Sequence, residues 1–214
     1  MGNEMKRCII LGSAPVEDGG MYDRFLAKGA FLICADGGVD TARKYGIQPD
    51  LLIGDFDSMQ GSLPDGIETI RLKPEKDDTD LLAAVREGLQ RGYQEYILLG
   101  ALGGERFDHS YANLCVLQFL AHEGCRAVLA EKGTYIFLLR EGQTEPLLHL
   151  CGATVSAFPF GCPDCTVSYE GMQYPLTRKP LRSDFPLGVS NRILSDQAAV
   201  TVHQGEMLGI VYQP

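Results

Sequence analysis

The first 130 residues repeat one pattern: a short apolar run, a turn carrying Gly or Asp, then a stretch with helical spacing. Cys8-Ile9-Ile10-Leu11, Phe31-Leu32-Ile33-Cys34-Ala35, Leu51-Leu52-Ile53 and Tyr96-Ile97-Leu98-Leu99 are apolar without interruption. Runs of that kind suit strands covered on both faces of a parallel sheet. The stretch 67–72 alternates and reads as a fourth strand, and 127–130 as a sixth. Helices are expected over 21–28, about 39–45, from 81 to Gly92, and about 110–122. In the third of these, Leu81, Leu82, Val85 and Leu89 share one helical face, and Asp78 or Thr79 suits the N-cap. Strands alternating with helices predict an α/β fold, a Rossmann-like layer with a mostly parallel sheet. Ligands of such sheets bind at the carboxyl ends of the strands.

After about Thr134 the pattern changes. Short strand-like runs at 135–139, 145–150, 153–158, 166–169, 198–203 and 207–212 are punctuated by glycines, with no helical spacing between them. Short strands with regular turn signals indicate a β-sandwich or barrel. Two domains are therefore expected, 1–133 and 134–214.

A formal charge of −9, from 28 acidic and 19 basic residues, argues against nucleic acid as the main partner, because backbone binding wants clustered Lys and Arg. No apolar run approaches the ~20 residues of a membrane-spanning helix, so no membrane partner is expected. No apolar leader opens the chain, and a cytoplasmic protein is the expectation. Seven cysteines at irregular spacing suit reduced thiols. Cys8, Cys34 and Cys115 lie in apolar segments and read as core residues. Cys162-Pro163-Asp164-Cys165 has no second pair to close a zinc site.

The chemistry concentrates where strands end. Gly54-Asp55-Phe56-Asp57-Ser58 follows the third strand. If the extended form persists, Asp55 and Asp57 project to the same face, and two such carboxylates repel unless a cation or a proton lies between them. The pair suits a divalent-metal site or an Asp-rich turn bonded to its own backbone. Asp36-Gly37-Gly38, Asp77 with Asp80, and Asp108 fall on the same predicted rim. That convergence favours the metal reading, since Mg²⁺ binds through a few carboxylates plus substrate phosphates. Lys73, Lys76 and Arg106 are the basic residues near enough to meet phosphate oxygens. Gly100-Ala101-Leu102-Gly103-Gly104 is glycine-rich after a strand, and no GxxxxGK[ST] loop occurs. His109 reads as a hydrogen-bonding or capping residue.

Taken together, Asp36-Gly37-Gly38, Gly54-Asp55-Phe56-Asp57-Ser58, Asp77-x-Thr79-Asp80 and Gly103-Gly104-x-Arg106-Phe107-Asp108-His109 resemble, in order and spacing, the thiamine pyrophosphokinase family. Gly171-Met172-Gln173-Tyr174-Pro175-Leu176 and Gly188-Val189-Ser190-Asn191 look like that family's β-domain motifs. The resemblance implies an α/β catalytic domain followed by a β-sandwich that binds thiamine, and a homodimer with the thiamine site between subunits. It implies transfer of a diphosphoryl group from ATP to the hydroxyethyl oxygen of thiamine, giving thiamine diphosphate and AMP. Asp55, Asp57, Asp80 and Asp108 would hold Mg²⁺ and orient the phosphates, with Asp80 the candidate proton acceptor. Asp36, Gly37, Gly38, Lys73, Gly103, Gly104, Arg106 and His109 would lie against ATP. Asp77, Tyr174, Ser190 and Asn191 would face thiamine. Two other readings are a nucleotide-sugar transferase with an Asp-x-Asp pair, and a sensor that keeps the fold without turnover.

Overall fold

The computed structural model describes residues 6–16, 25, 29–57, 59, 62–73, 78–104 and 106–213. The expected helix over 21–28 (Phe25 apart) and Ser58, Lys76, Asp77 and Glu105 lie outside them. The chain divides into two compact units, Met1–Lys132 and Gly133–Pro214.

In the first unit, strands β1 (Arg7–Leu11), β2 (Phe31–Ala35), β3 (Leu51–Gly54), β4 (Glu68–Arg71), β5 (Glu95–Leu99) and β6 (Arg126–Glu131) stand in the order β6-β5-β1-β2-β3-β4. Every pairing in that series is parallel. Ile9, Ile10, Leu11, Leu51, Leu52, Leu98 and Leu99 are fully buried, as uninterrupted apolar runs require in a sheet covered on both sides. Each such side chain contributes roughly 1.5–3 kcal/mol on leaving water. β4 is the exception. Its mostly exposed Glu-Thr-Ile-Arg marks the sheet edge, where charge deters further pairing.

Helices α1 (Gly38–Lys44), α2 (Asp80–Gln90) and α3 (Phe107–His122) connect strands. Gly38 lets α1 start hard against β1, because a Cβ there would sit 2.1 Å from the Leu11 carbonyl oxygen. Thr79 caps α2, its hydroxyl accepting from the Leu82 amide at 3.2 Å. α3 begins at Phe107, three residues before the expected start, and has no side-chain cap. Asp108 thus stands in its first turn, where the helix dipole favours a negative charge, rather than at its N-cap. Cys8 and Cys34 are buried as expected, but Cys115 is exposed. α3 turns Val116, Leu117 and Leu120 inward, which leaves position 115 outside.

The second unit holds two antiparallel sheets, and the expected β-sandwich is what forms. One has the order β12-β9-β14-β7, from β7 (Thr134–Arg140), β9 (Thr154–Pro159), β12 (Asn191–Arg192) and β14 (Glu206–Tyr212). The other has the order β11-β10-β13-β8, from β8 (Thr144–Pro146), β10 (Asp164–Glu170), β11 (Leu176–Arg182) and β13 (Ala199–Gln204). Ile136, Val155, Ala157, Cys165, Val167, Val200, Val202 and Met207 form the buried interior. The run at 145–150 yields only the short β8, which stops at Pro146 ahead of a turn in which His149 takes a left-handed φ of 59°. Cys165 is buried on β10, and Cys162 donates to the Glu206 carbonyl at 3.4 Å.

Candidate active site

The order of the parallel strands sets the site. β1 lies between β2 and β5, so chain connections leave its carboxyl end in opposite directions and open a crevice there. Gly12 and Gly100 form the floor of that crevice. A Cβ on Gly12 would lie 2.5 Å from the Gly100 oxygen, and one on Gly100 2.6 Å from the Gly12 oxygen. The ladder continues through them, with Gly12 N–H donating to Leu99 O at 2.8 Å and Ala14 N–H to Gly100 O at 2.9 Å. Above the floor is a cavity of about 380 Å³ whose walls include Ser13, Asp36, Asp80, Gly103, Gly104 and Arg106. That volume is in the range of small-molecule sites.

Beside the cavity, Asp36, Asp55 and Asp57 bring carboxylate oxygens within 4.8 Å of one another. The backbone produces this convergence by a route that strand alternation does not describe. β3 stops at Gly54, and Phe56 is left-handed with φ 59°. That conformation costs a non-glycine residue about 1–2 kcal/mol. Burial of the Phe56 ring in the core, with the Arg71 guanidinium 5.7 Å from its centre, offsets it. The resulting turn lets the Asp57 amide donate to Asp55 Oδ1 at 3.3 Å. Asp55 and Asp57 are thus an Asp-rich turn and a converging pair at once. Gly54 makes room for the third member: a Cβ there would meet the Asp36 Cα at 3.0 Å. Asp36 itself has φ 45° and continues the β2–β3 ladder, its amide donating to Ile53 O at 2.8 Å. Three hard oxygen donors at one strand rim fit a divalent cation such as Mg²⁺.

The other candidates divide. Asp80, at the start of α2, shares the cavity wall with Asp36, but neither it nor Asp108 belongs to the three-carboxylate group. Asp108 instead pairs with Arg106, which donates through Nε at 3.2 Å and through a second, shorter contact from Nη2. That guanidinium holds the Asp108 carboxyl below the usual carboxylate range. His109, like Arg106, lines the cavity. Gly37 and Gly38 shape the turn from Asp36 into α1. Lys73 is exposed just past β4 and is not among the cavity residues.

In the second unit, Tyr174, Ser190 and Asn191 come together. The buried Asn191 side chain accepts from the Tyr174 amide at 3.0 Å and donates to the Tyr174 carbonyl at 2.8 Å. Its Oδ1 also accepts from the Arg192 amide at 3.0 Å. Asn191 therefore fixes the backbone under Tyr174, a residue that is 62% exposed. Ser190 is exposed with φ 60°, and its amide donates to Ser156 Oγ at 3.0 Å.

Residues 22–129 match the thiamin pyrophosphokinase catalytic domain, and 140–207 match the thiamin pyrophosphokinase vitamin B1 binding domain. The chain belongs to the thiamin pyrophosphokinase family. Thiamine pyrophosphokinase 1 of Oryza sativa subsp. japonica is 24% identical over 198 residues, covering 79% of this chain and 74% of its own length. Its counterpart from Caenorhabditis elegans is 22% identical over 205 residues, covering 89% and 82%. The fold is shared with the crystal structure of thiamine pyrophosphokinase from Bacillus subtilis, at a TM-score of 0.85, 22% identity, and coverage of 98% of this chain and 100% of that one. The enzyme from Candida albicans superposes at 0.77, with 18% identity and coverage of 99% and 90%. ATP is accordingly the co-substrate that the family implies.

Against that family background, several cavity residues carry no motif. Ser13 follows the first apolar run, and Asn113 stands one helical turn after His109; the i, i+4 spacing is a signal that sequence reading can use. Asn113 Nδ2 donates to Ala101 O at 2.7 Å, and Gly103 N–H donates to Ser110 Oγ at 3.1 Å. These bonds tie the glycine loop to α3.

Proposed function

We propose that this thiamin pyrophosphokinase family member is an active thiamine diphosphokinase, with 1–133 binding ATP and metal and 134–214 binding thiamine. The observation that carries the reading is the Asp36, Asp55 and Asp57 group beside the cavity at the β1/β5 crevice. In the reaction, the hydroxyethyl oxygen of thiamine attacks the β-phosphorus of ATP. The bond from that phosphorus to the α,β-bridging oxygen breaks, and AMP leaves with the oxygen. Asp36, Asp55 and Asp57 would hold Mg²⁺. When bound, the ion neutralises charge building on the phosphate oxygens.

The chain's own groups do the rest. Asp80, facing the cavity, takes the hydroxyl proton. Arg106 meets phosphate oxygens, with Asp108 aiming its guanidinium. Gly103, Gly104 and His109 form the wall against the nucleotide, and Lys73 is a further cation for it. In the second unit, Tyr174 offers an aromatic face to the cationic thiazolium ring, Ser190 a polar contact, and Asn191 the backbone geometry that holds both. A homodimer with thiamine between subunits belongs to the same reading, supported by the exposed apolar Phe185, Leu187, Val189 and Leu194. So does a cytoplasmic setting, supported by seven free cysteines. Among the described residues, no helix is long and apolar enough to cross a membrane.

The test is incubation with ATP, Mg²⁺ and thiamine, followed by mass detection of thiamine diphosphate and AMP. AMP release without dependence on thiamine overturns the reading. Tight thiamine binding without product would favour the sensor, and a nucleoside diphosphate released from a nucleotide sugar would favour the glycosyl transferase.

A further inference from the structure

Glu131 ends β6 on the same rim, yet it is not among the residues that line the cavity. Its side chain turns towards the strand beside it. Oε1 accepts from the Ala101 amide at 3.0 Å, and the flanking amides of Gly100 and Leu102 face the same carboxylate and favour its charged form. Three successive backbone N–H groups converging on one anion form a nest, the device by which glycine loops elsewhere bind phosphate. In this chain the anion is internal. Gly100 makes the geometry possible with φ 58°, and no substituent fits there because the Gly12 oxygen is 2.6 Å from its Cβ position.

We propose that Glu131 is a positioning residue for nucleotide binding: its carboxylate occupies the amide nest of Gly100–Leu102 and sets the conformation of the loop that forms the cavity wall. This rests on the reading of the cavity as the ATP site. Two consequences follow from hydrogen-bond chemistry. The Gly100–Leu102 amides are turned towards Glu131, with the Ala101 N–H bonded to it, so the phosphates would take their contacts from Arg106 and the other wall groups instead. A carboxylate is also the right group for the place, since it only accepts. Glutamine would turn an NH2 towards amides that donate, and aspartate would stop one methylene short. Asn113 and Ser110 hold the same loop from the helix side, so losing Glu131 shifts the loop without releasing it. Burial raises the carboxyl of Glu131 above its ordinary range while the three amides oppose that rise.

The test compares Glu131→Gln and Glu131→Ala with the wild type. Expected is a rise in the KM for ATP and in the Kd for ATP by calorimetry of about tenfold, with the KM for thiamine within twofold. Formate at tens of millimolar should restore Glu131→Ala by entering the vacated nest, and should leave the wild type unchanged. In the wild type, the amide proton signals of Ala101 and Leu102 should move as Glu131 titrates, and they should stand still in Glu131→Gln. Equal ATP affinity in all three proteins overturns the proposal, as does an equal rise in both KM values without formate rescue. If the wild type itself binds no ATP, the reading of the cavity fails first, and the amide titration still decides whether Glu131 fills the nest.

Discussion

Asp57→Asn should stabilise the metal-free protein and weaken the metal-bound one. The carboxylate oxygens of Asp36, Asp55 and Asp57 lie within 4.8 Å, and unit charges at that separation repel by about 0.9 kcal/mol in water-like surroundings. Asp57 is the most exposed of the three, so the water-like figure applies to it, and it belongs to two of the three repelling pairs. Screening at ordinary salt cuts the relief to about 1 kcal/mol in all. For a chain of this length that raises the metal-free Tm by about 2–4 °C. With Mg²⁺ at a hundred times its Kd, the wild type gains about 2.7 kcal/mol. A tenfold weaker site gains only about 1.4 kcal/mol, so the order of the two proteins reverses or closes. The Asp57 backbone N–H donates the hydrogen bond to Asp55 Oδ1, and asparagine keeps it. The assay is differential scanning calorimetry in EDTA and across a Mg²⁺ titration. A metal-free Tm that falls in the variant, or an undiminished response to Mg²⁺, would refute the cation site.

Asn191→Ala should leave the Tyr174 amide and carbonyl without their partner, costing about 1–3 kcal/mol, and should raise the KM for thiamine while leaving that for ATP unchanged; steady-state kinetics and urea melts measure both. Tyr169→Phe should be neutral or stabilising by about 1 kcal/mol in a urea melt, because the buried hydroxyl has no protein partner among the described residues and its removal ends a desolvation penalty; a loss above about 1 kcal/mol would show a hidden bond. Burial pushes the Cys34 thiol from an ordinary 9.0 up to about 12. Between those values the unfolded chain ionises the thiol and the folded chain does not, so stability falls as pH rises, by about 1.4 kcal/mol per pH unit from this group. Cys34→Ala should be less stable at pH 7 yet show a slope shallower by that amount between pH 9.5 and 11, and equal slopes would sink the argument.

The parallel layer was legible because each of its inner strands carries a bare apolar run of three to five residues, too short for a helix and bounded by Gly- or Asp-rich turns. β11 was not. Its Leu-Thr-Arg-Lys-Pro-Leu-Arg is basic and carries Pro180, which demotes a strand in sequence; the sheet accepts it because β11 is an edge. β12 is two residues long and has no pattern to read. At the site, the Asp-x-Asp spacing pointed to a pair, but the pair converges through a left-handed Phe56 that only core packing explains. Asp36 read as part of a nucleotide turn, since its closeness to Asp55 is a cross-strand matter set at Gly54. Asp80 and Asp108 belong to the same rim but not to the carboxylate group, one standing at a helix start and the other held by Arg106. Glu131 follows an apolar strand as many glutamates do, and nothing local marks it.

The contact between Gly12 and Gly100 divides the pocket into a part that mutation can adjust and a part that it cannot. Each glycine has the other's carbonyl oxygen where a side chain would begin, so the floor consists of backbone alone. Descendants of this chain can exchange wall residues such as Ser13 or Asn113 and change what the pocket prefers. They cannot deepen it or tilt its base. Discrimination among ligands is therefore written sideways, on the walls, while the depth at which a ligand comes to rest is inherited unchanged.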